Sequence, residues 1–226
     1  MITSKELKEK TISMGADLVG IAPPSRFKDA PQGFKPTDIY ADCQSVVVFA
    51  KRSPKTTLHA FKPVPYTWVQ DTMSLLIDQL TMQLTYWLED KDMSVVPLPA
   101  NDPYEFWDEK QQYGRASLSM RHSGYLSGLG VLGRNTLLIN ERFGNMIEIG
   151  SVLLDAVLEP DNIAEYKGCP RDCRLCIDAC PAKALDGVTV NQKLCRPLSN
   201  VINKKGYTIK RCNTCRSICP LALGIK

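Results

Sequence analysis

The sequence predicts a mixed α/β layered domain over residues 1–160, followed by a small cysteine-rich domain over residues 161–226. Strand-like and helical patterns alternate through the first part and end in a hairpin, as is typical of layered domains. The polar stretch 160–167 then has the composition of a linker. Eight of the nine cysteines follow it, between Cys169 and Cys219.

The first elements are a helix and two strands. Thr3 and Glu6 form a capping box, which predicts a helix that stops near Gly15. The residues expected to face the core from this helix are Leu7, Ile12 and Met14. The β-branched runs 16–22 and 45–50 predict buried strands.

A long amphipathic helix is predicted over residues 66–90, because apolar residues recur there at intervals of three and four. The stripe expected to pack in the core consists of Val69, Met73, Leu76, Leu80, Leu84 and Trp87.

The rest of the first domain is predicted from shorter signals. Residues 94–99 form a third strand candidate, and the polar stretch that contains Trp107 and Tyr113 is interpreted as a loop. A short helix is expected over 116–126. The runs 135–140 and 146–154 are strand-like and enclose a Phe-Gly-Asn turn sequence.

Composition limits the class of protein. The 226 residues are 44% hydrophobic and 23% charged, which is ordinary for a globular protein. No apolar run approaches the roughly 20 residues of a membrane helix. The charged N-terminus does not resemble a signal peptide, so we expect a cytoplasmic protein. Disulfides are rare in such a reducing compartment, which leaves metal binding to explain the cysteines.

Two cysteine runs have the same spacing. Residues 173–181 and 212–220 both spell C-x2-C-x3-C-P, and a further cysteine, Cys169 or Cys195, precedes each run. This spacing is typical of the bacterial ferredoxin run, in which the last cysteine binds the cluster of the other run. We therefore expect two [4Fe–4S] clusters in a ferredoxin-like domain and electron transfer as its role.

If the last cysteine of each run binds the cluster of the other run, the expected ligands of each cluster follow. Cys169, Cys173, Cys176 and Cys219 would bind the first cluster, and Cys180, Cys195, Cys212 and Cys215 the second. Structural zinc is the alternative, because paired C-x2-C motifs also bind Zn²⁺. The third cysteine with its proline, present twice, favours the clusters. Cys43 stands apart and is interpreted as a small buried hydrophobe.

A glycine-rich loop precedes the cysteine domain. Gly128, Gly130 and Gly133 spell G-x-G-x-x-G, but a strand-like run follows them, whereas a dinucleotide-binding turn leads into a helix. The glycines therefore indicate a tight loop or a close approach. We expect these glycines, with Arg134 and Asn135 directly after them, to bind a cofactor.

Together these features resemble the epoxyqueuosine reductase family. The resemblance lies in residues 128–139, in Phe143-Gly144 and in the double cysteine run, and identifies the chain as a divergent, short member. It implies a nitroreductase-like, corrinoid-binding α/β domain joined to a two-cluster domain. It also implies an oxidoreductase that passes electrons through the clusters to cobalamin or a substrate.

The sequence departs from the family in one respect. Members that reduce epoxyqueuosine carry an acidic residue, taken as the proton donor, shortly before the glycine loop. Residues 112–117 contain no acid here, and Asp108 and Glu109 come too early. We therefore expect no epoxyqueuosine reduction at the family's rate.

Charge bears on the partners. Residues 164–226 hold 12 Lys/Arg and 4 Asp/Glu, whereas residues 1–163 hold 16 and 20. A basic C-terminal part is compatible with a nucleic acid such as tRNA, or with local neutralisation of anionic clusters. The expected electron donor is a ferredoxin or flavodoxin. The alternative function is a non-catalytic carrier or activator that delivers electrons to a partner protein.

Overall fold

The computed structural model describes residues 2–225. The helices are α1 (Ser4–Ser13), α2 (Pro36–Ile39), α3 (Pro63–Glu89), α4 (Met120–Leu126), α5 (Leu175–Asp178), α6 (Gln192–Ser199) and α7 (Thr214–Ser217). The strands are β1 (Leu18–Ala22), β2 (Ser45–Arg52), β3 (Val95–Leu98), β4 (Phe106–Asp108), β5 (Tyr113–Arg115), β6 (Val131–Leu132), β7 (Leu138–Ile139), β8 (Ile147–Leu154), β9 (Asn200–Ile202) and β10 (Thr208–Lys210).

The central sheet has four strands in the order β1-β2-β8-β3, and every neighbouring pair is antiparallel. β2 and β3 point the same way with β8 between them. Helix α3 connects β2 to β3, which explains why strands and helices alternate in the sequence. The observed class is therefore the layered α+β arrangement rather than a parallel α/β sheet.

Helices cover both faces of this sheet. α1 and α3 cover one face, where Leu7, Phe49, Ile77 and Leu84 are fully buried. α4 and the segments around it cover the other face, where Val48, Leu118 and Leu153 lie in the core. Because both faces of the sheet are buried, the sequences of β2 and β8 are nearly continuously apolar.

Two residues that were predicted to lie in the core are exposed, and a sequence neighbour of each is buried in its place. Ile12 is 46% exposed, and Thr11 is buried instead, one turn after Leu7. Leu76 is 38% exposed, and its neighbour Ile77 is buried. The buried rows follow i, i+4 steps from Leu7 and from Met73, which the sequence pattern alone did not separate from the adjacent row.

The stretch interpreted as a loop contains a short hairpin, β4–β5. It is held by tertiary contacts rather than by local pattern. The Tyr104 and Trp107 rings stack with centroids 5.8 Å apart, and the Arg196 guanidinium lies 5.1 and 4.9 Å from them. Helix α4 begins at Met120, later than the predicted residue 116, because residues 116–119 form a non-helical connection between β5 and the helix.

The cysteine-rich part follows residues 155–167, which pack on the first domain. The Asp161 carboxylate accepts the Ile21 N–H at 2.8 Å, and the Asp161 N–H donates to Ile21 O at 2.9 Å. Helices α5, α6 and α7 and the β9–β10 hairpin then enclose a small core. The chain finally returns to the first domain, where the Ile225 N–H donates to Glu141 O at 2.8 Å.

Candidate iron–sulfur and ligand-binding site

All nine cysteines lie within the described residues and are free thiols. Cys176 and Cys180 are buried, and the other six of the two runs are half-buried. The isolated Cys43 is 3% exposed, as expected of a core residue, and burial raises the pKa of its thiol to about 11.

The structure places Cys219 of the second run beside the thiols of the first. Burial raises the pKa of Cys219, and the nearby Cys169, Cys176 and Cys173 thiols raise it further. Burial also raises the pKa of Cys176, followed by the effects of Cys169 and Cys173. Four thiols therefore form one electrostatic neighbourhood across the two runs.

The other four thiols form a second neighbourhood. Burial raises the pKa of Cys215 to about 11, and Cys195, Cys212 and Cys180 raise it while Arg216 lowers it. Cys180 thus lies with the second run although its sequence belongs to the first. The membership of each group is the one that a crossed ligand pattern requires, and cluster binding itself stays a prediction.

Backbone N–H groups point at two of the sulfurs. The Arg134 N–H donates to Cys169 Sγ at 3.4 Å, and the Ala184 N–H donates to Cys180 Sγ at 3.3 Å. Such donors lower the energy of thiolate sulfur and tune bound clusters. Across residues 2–225, no three His, Cys, Asp or Glu side chains converge on a point that could hold a single metal ion. The thiols of each group are therefore neighbours without forming a ready mononuclear site.

The glycine loop packs against the cysteine domain and its approach segment. A Cβ at Gly128, where φ is +80°, would stand 2.2 Å from Asn162 O, so only glycine fits there. The Asn135 amide donates to Cys215 O at 2.9 Å, and the Arg134 guanidinium donates to Arg171 O. The predicted loop residues thus lie between the domains, with Arg134 and Asn135 against the two cysteine groups.

A cavity of about 770 Å³ opens beside this junction. Its walls come from α4, the start of β8, the β5 strand and the residues after the glycine loop, together with Val188, Gln192 and Arg216 of the cysteine domain. Its size is that of a small-molecule site. Leu132 and Thr136 line it, whereas Gly128, Gly130, Gly133, Arg134 and Asn135 lie outside its described lining.

Among the charged side chains that line this cavity, Arg121, Glu148 and Arg216 are close enough to interact electrostatically. The Arg121 guanidinium donates to Thr136 O at 2.7 Å and to Thr136 Oγ1 at 2.8 Å. Burial lowers the pKa of Arg121, and the proximity of Arg216 adds to that effect.

Glu148 is half-buried, and burial raises the pKa of its carboxyl to about 7, against an ordinary value of 4.5. Arg216, Lys210 and Arg121 lie near enough to oppose that rise, and Asp78 adds to it. Sequence reasoning missed Glu148. The available signal was one charged residue inside the otherwise apolar run 146–154.

His122 and the residues around β5 also line the cavity. His122 faces the cavity next to Arg121, with Nδ1 2.7 Å from Ser119 Oγ, and burial lowers its pKa. Residues 113–116 line the cavity and bring no carboxylate to it. The lining carboxylates among the described residues are Asp29 and Glu148.

Unpaired polar atoms mark the cavity wall. Within residues 2–225, Nδ2 and Oδ1 of Asn145 and Nε2 of Gln70 are buried without hydrogen-bond partners. Buried polar atoms form hydrogen bonds in the great majority of cases, so unpaired atoms at a cavity point to a bound group.

Among the helices of residues 2–225, none is long and apolar enough to cross a membrane.

Comparisons with known proteins identify similar sequences and similar folds. No family model matches the sequence. An epoxyqueuosine reductase from Staphylococcus aureus is 26% identical over 99% of this chain and 67% of its own length. A second, from Prochlorococcus marinus, is 25% identical over 96% of this chain and 77% of its length.

Solved structures share the fold. The epoxyqueuosine reductase of Streptococcus thermophilus superposes with a TM-score of 0.67 at 18% identity, over 100% of this chain and 68% of that one. An epoxyqueuosine reductase with an epoxyqueuosine-modified tRNA stem loop gives 0.65 at 19%, over 96% and 64%. A reductive dehalogenase whose structure suggests a mechanism for B12-dependent dehalogenation gives 0.67 at 17%, over 96% and 32%.

The chain therefore spans about two thirds of the reductases it resembles and a third of the dehalogenase. Sequence and fold comparisons therefore point to the same proteins: the chain is similar to the epoxyqueuosine reductases at 25–26% identity, and it shares the fold of their solved structures.

Proposed function

We propose that this protein is an iron–sulfur oxidoreductase that passes electrons through two [4Fe–4S] clusters to a cobalamin or substrate held in the cavity. The observation that carries the proposal is the position of Arg216. Its neighbour Cys215 belongs to the second thiol group, while its own side chain lines the cavity. A cluster on this group would lie next to the cavity wall.

The residues fit the clusters by their donor chemistry. Each group supplies four thiols, and Arg134 and Ala184 supply N–H donors to sulfur. The first cluster would be bound by Cys169, Cys173, Cys176 and Cys219, and the second by Cys180, Cys195, Cys212 and Cys215. When bound, such clusters accept and release single electrons.

The cavity fits an organic cofactor. Its volume, its apolar walls and its unpaired Asn145 and Gln70 atoms suit a large ligand with polar edges. The dehalogenase with the same fold is linked to B12, which motivates cobalamin as the ligand. Bound cobalamin would supply a low-potential metal centre, and this chain's part is to hold it, exclude water and deliver protons.

Epoxyqueuosine itself is a poor match for this cavity. Residues 113–116 present backbone, aromatic and basic groups to the cavity, in the stretch where the sequence resemblance implies an acid. Glu148, on β8, is a carboxyl on another wall. We propose that the reaction is a reduction of a different substrate, supported by a donor such as a ferredoxin or flavodoxin.

The test is anaerobic purification followed by iron analysis and titration with hydroxocobalamin. We expect about eight irons per chain, the content of two [4Fe–4S] clusters, and a change in the corrinoid spectrum on binding. Stoichiometric zinc with little iron would refute the clusters. Full iron content without any corrinoid response would favour the alternative function, an electron carrier or activator for a partner protein.

A nucleic-acid partner is a second proposal, motivated by the relative solved with a tRNA stem loop. The β9–β10 hairpin exposes Lys204, Lys205 and Tyr207, and the Asn203 carboxamide oxygen fixes its turn by accepting the N–H groups of Lys205 and Tyr207 at 2.9 and 3.1 Å. Paired lysines beside an exposed aromatic ring suit a phosphate backbone and a stacked base.

The measurement is fluorescence anisotropy with an RNA stem loop at two salt concentrations. We expect the double variant Lys204→Ala/Lys205→Ala to bind more weakly and with a smaller salt dependence. Equal binding and salt slope in the two proteins would exclude the hairpin.

A further inference from the structure

Asn145 differs from the other buried asparagines in having an unpaired side chain. Asn140 donates to Leu129 O at 2.6 Å, and its oxygen accepts the N–H groups of Arg142 and Phe143. Asn135 donates to Cys215 O and accepts the Leu137 N–H. Asn145 is 1% exposed, and within the described chain neither its amide nitrogen nor its oxygen has a partner.

The backbone of Asn145, in contrast, is fully used. Its N–H donates to Ala222 O at 3.2 Å, and its carbonyl accepts from Arg216 Nη1 at 2.5 Å. Both contacts anchor the residue to the cysteine domain. The side chain therefore has a fixed origin and lies at the cavity wall with its hydrogen-bonding groups free.

A fold gains nothing from such a group. A buried amide without partners destabilises the folded state relative to an apolar residue of the same shape. Gln70 adds a second unpaired donor, Nε2, at the same cavity. Two residues of the cavity lining thus leave two donors and one acceptor without a partner.

We infer that Asn145, together with Gln70 of the same cavity lining, binds an amide group of the cavity's ligand, a carbonyl adjacent to an N–H. Asn145 presents a donor and an acceptor on one planar group, which an amide matches in both directions. A carboxylate or phosphate would satisfy Nδ2 and Nε2 but leave Oδ1 facing another acceptor. An alkyl group would satisfy none of the three.

Two classes of ligand contain an amide group of this kind. The corrin ring of cobalamin carries primary carboxamides at its periphery, and purine nucleosides such as guanosine carry a ring lactam. The inference rests on the proposed function in one respect, that the cavity holds a ligand. The probes are hydroxocobalamin, the heptamethyl ester of cobyrinic acid, which has the corrin ring with esters in place of amides, and guanosine.

The experiment compares Asn145→Leu with the matched control Asn140→Leu in cluster-loaded protein. We expect Asn145→Leu to leave the Tm of the ligand-free protein unchanged or raised, because it removes an unpaired polar group. Asn140→Leu should lower it, because three hydrogen bonds are lost. Asn145→Leu should also weaken hydroxocobalamin binding about tenfold or more and leave binding of the ester unchanged.

Each outcome decides the inference. Loss of guanosine binding in place of cobalamin binding would support the amide site and assign it to a lactam. A Tm loss in Asn145→Leu as large as that in Asn140→Leu would overturn it, since the side chain would then serve the fold. Equal affinity of wild type and variant for hydroxocobalamin and also for guanosine would overturn the inference alone. Wild-type protein that binds none of the probes would overturn the proposed ligand site together with it.

Discussion

Gly144 lies directly against the backbone of Leu221, at the point where the end of the cysteine domain meets the turn before β8. A Cβ at residue 144 would stand 2.2 Å from Leu221 O and 2.3 Å from Ala222 O. The φ of Gly144 is +60°, in the left-handed region. Position 144 thus requires glycine for its conformation and for the contact between domains.

Gly144→Ala should lower the free energy of unfolding by about 2 kcal/mol or more, since the left-handed conformation alone costs 1–2 kcal/mol for a residue with a Cβ. The matched control is Gly33→Ala, where φ is +84° and no atom lies within 4 Å of the added Cβ. Thermal unfolding of both variants separates the two effects. An equal loss of Tm would mean that the contact with Leu221 contributes nothing.

Asn135 provides a second link between the glycine loop and the cysteine domain. Asn135→Leu removes the hydrogen bond to Cys215 O while keeping an apolar side chain of similar size. We expect faster loss of the second cluster in air, with iron falling toward half while the first cluster remains. Iron analysis and electron paramagnetic resonance measure this. Loss of both clusters at equal rates would show that Asn135 supports the whole domain rather than the Cys215 loop.

The thiol groups make a crossed prediction. Cys219→Ser should remove the first cluster although Cys219 belongs to the second run, because its neighbours are Cys169, Cys173 and Cys176. Iron content should fall to about half, and the remaining spectrum should match that of a Cys173→Ser variant. Cys43→Ser is the control and should retain full iron, since Cys43 lies in the first domain's core. A spectrum that matched Cys212→Ser instead would refute the crossing.

Local signals in the sequence predict most of the first domain, and tertiary contacts explain where they fall short. Capping and β-branched runs locate α1, β1, β2 and β8 because these elements are fixed by their own residues. The β4–β5 hairpin escaped prediction because Arg196, more than 80 residues later, holds its aromatic rings. Glu148 escaped because its environment is created by Arg216 and Arg121, which are distant in sequence.

The cysteine runs show the opposite case. Their spacing predicted that Cys219 and Cys180 exchange places, and the structure puts each beside the other run's thiols. Spacing is informative there because the two runs share one cysteine pattern and their short helices, α5 and α7, pack against each other. The cluster ligands themselves stay a prediction. The expected cofactor residues Arg134 and Asn135 illustrate the limit of such reasoning. A loop after glycines predicts function without specifying that these side chains face the cysteine groups rather than the cavity.

Glu148 gives a prediction for pH. Its folded pKa of about 7 lies above the ordinary value of 4.5, so the folded protein holds a proton that the unfolded chain has released between those values. The stability that this protonated carboxyl contributes is fully present below about pH 4.5 and is lost as pH rises through about 7. Above pH 7 the half-buried Glu148 carboxylate is ionised, with Arg216, Lys210, Arg121 and Asp78 near it.

Glu148→Gln replaces the titrating carboxyl with a neutral group of the same shape. We expect the Tm of wild type, relative to this variant, to fall steadily between pH 4.5 and 7 and to level off above it. Glu141→Gln serves as a control, because Glu141 is an exposed carboxylate near the same strand. Differential scanning calorimetry across this range gives the curve for each protein. A Tm difference between wild type and Glu148→Gln that stayed constant with pH would show that Glu148 titrates at its ordinary value. The arginines would then hold it ionised throughout, and the cavity would carry a fixed negative charge rather than a proton that can be exchanged.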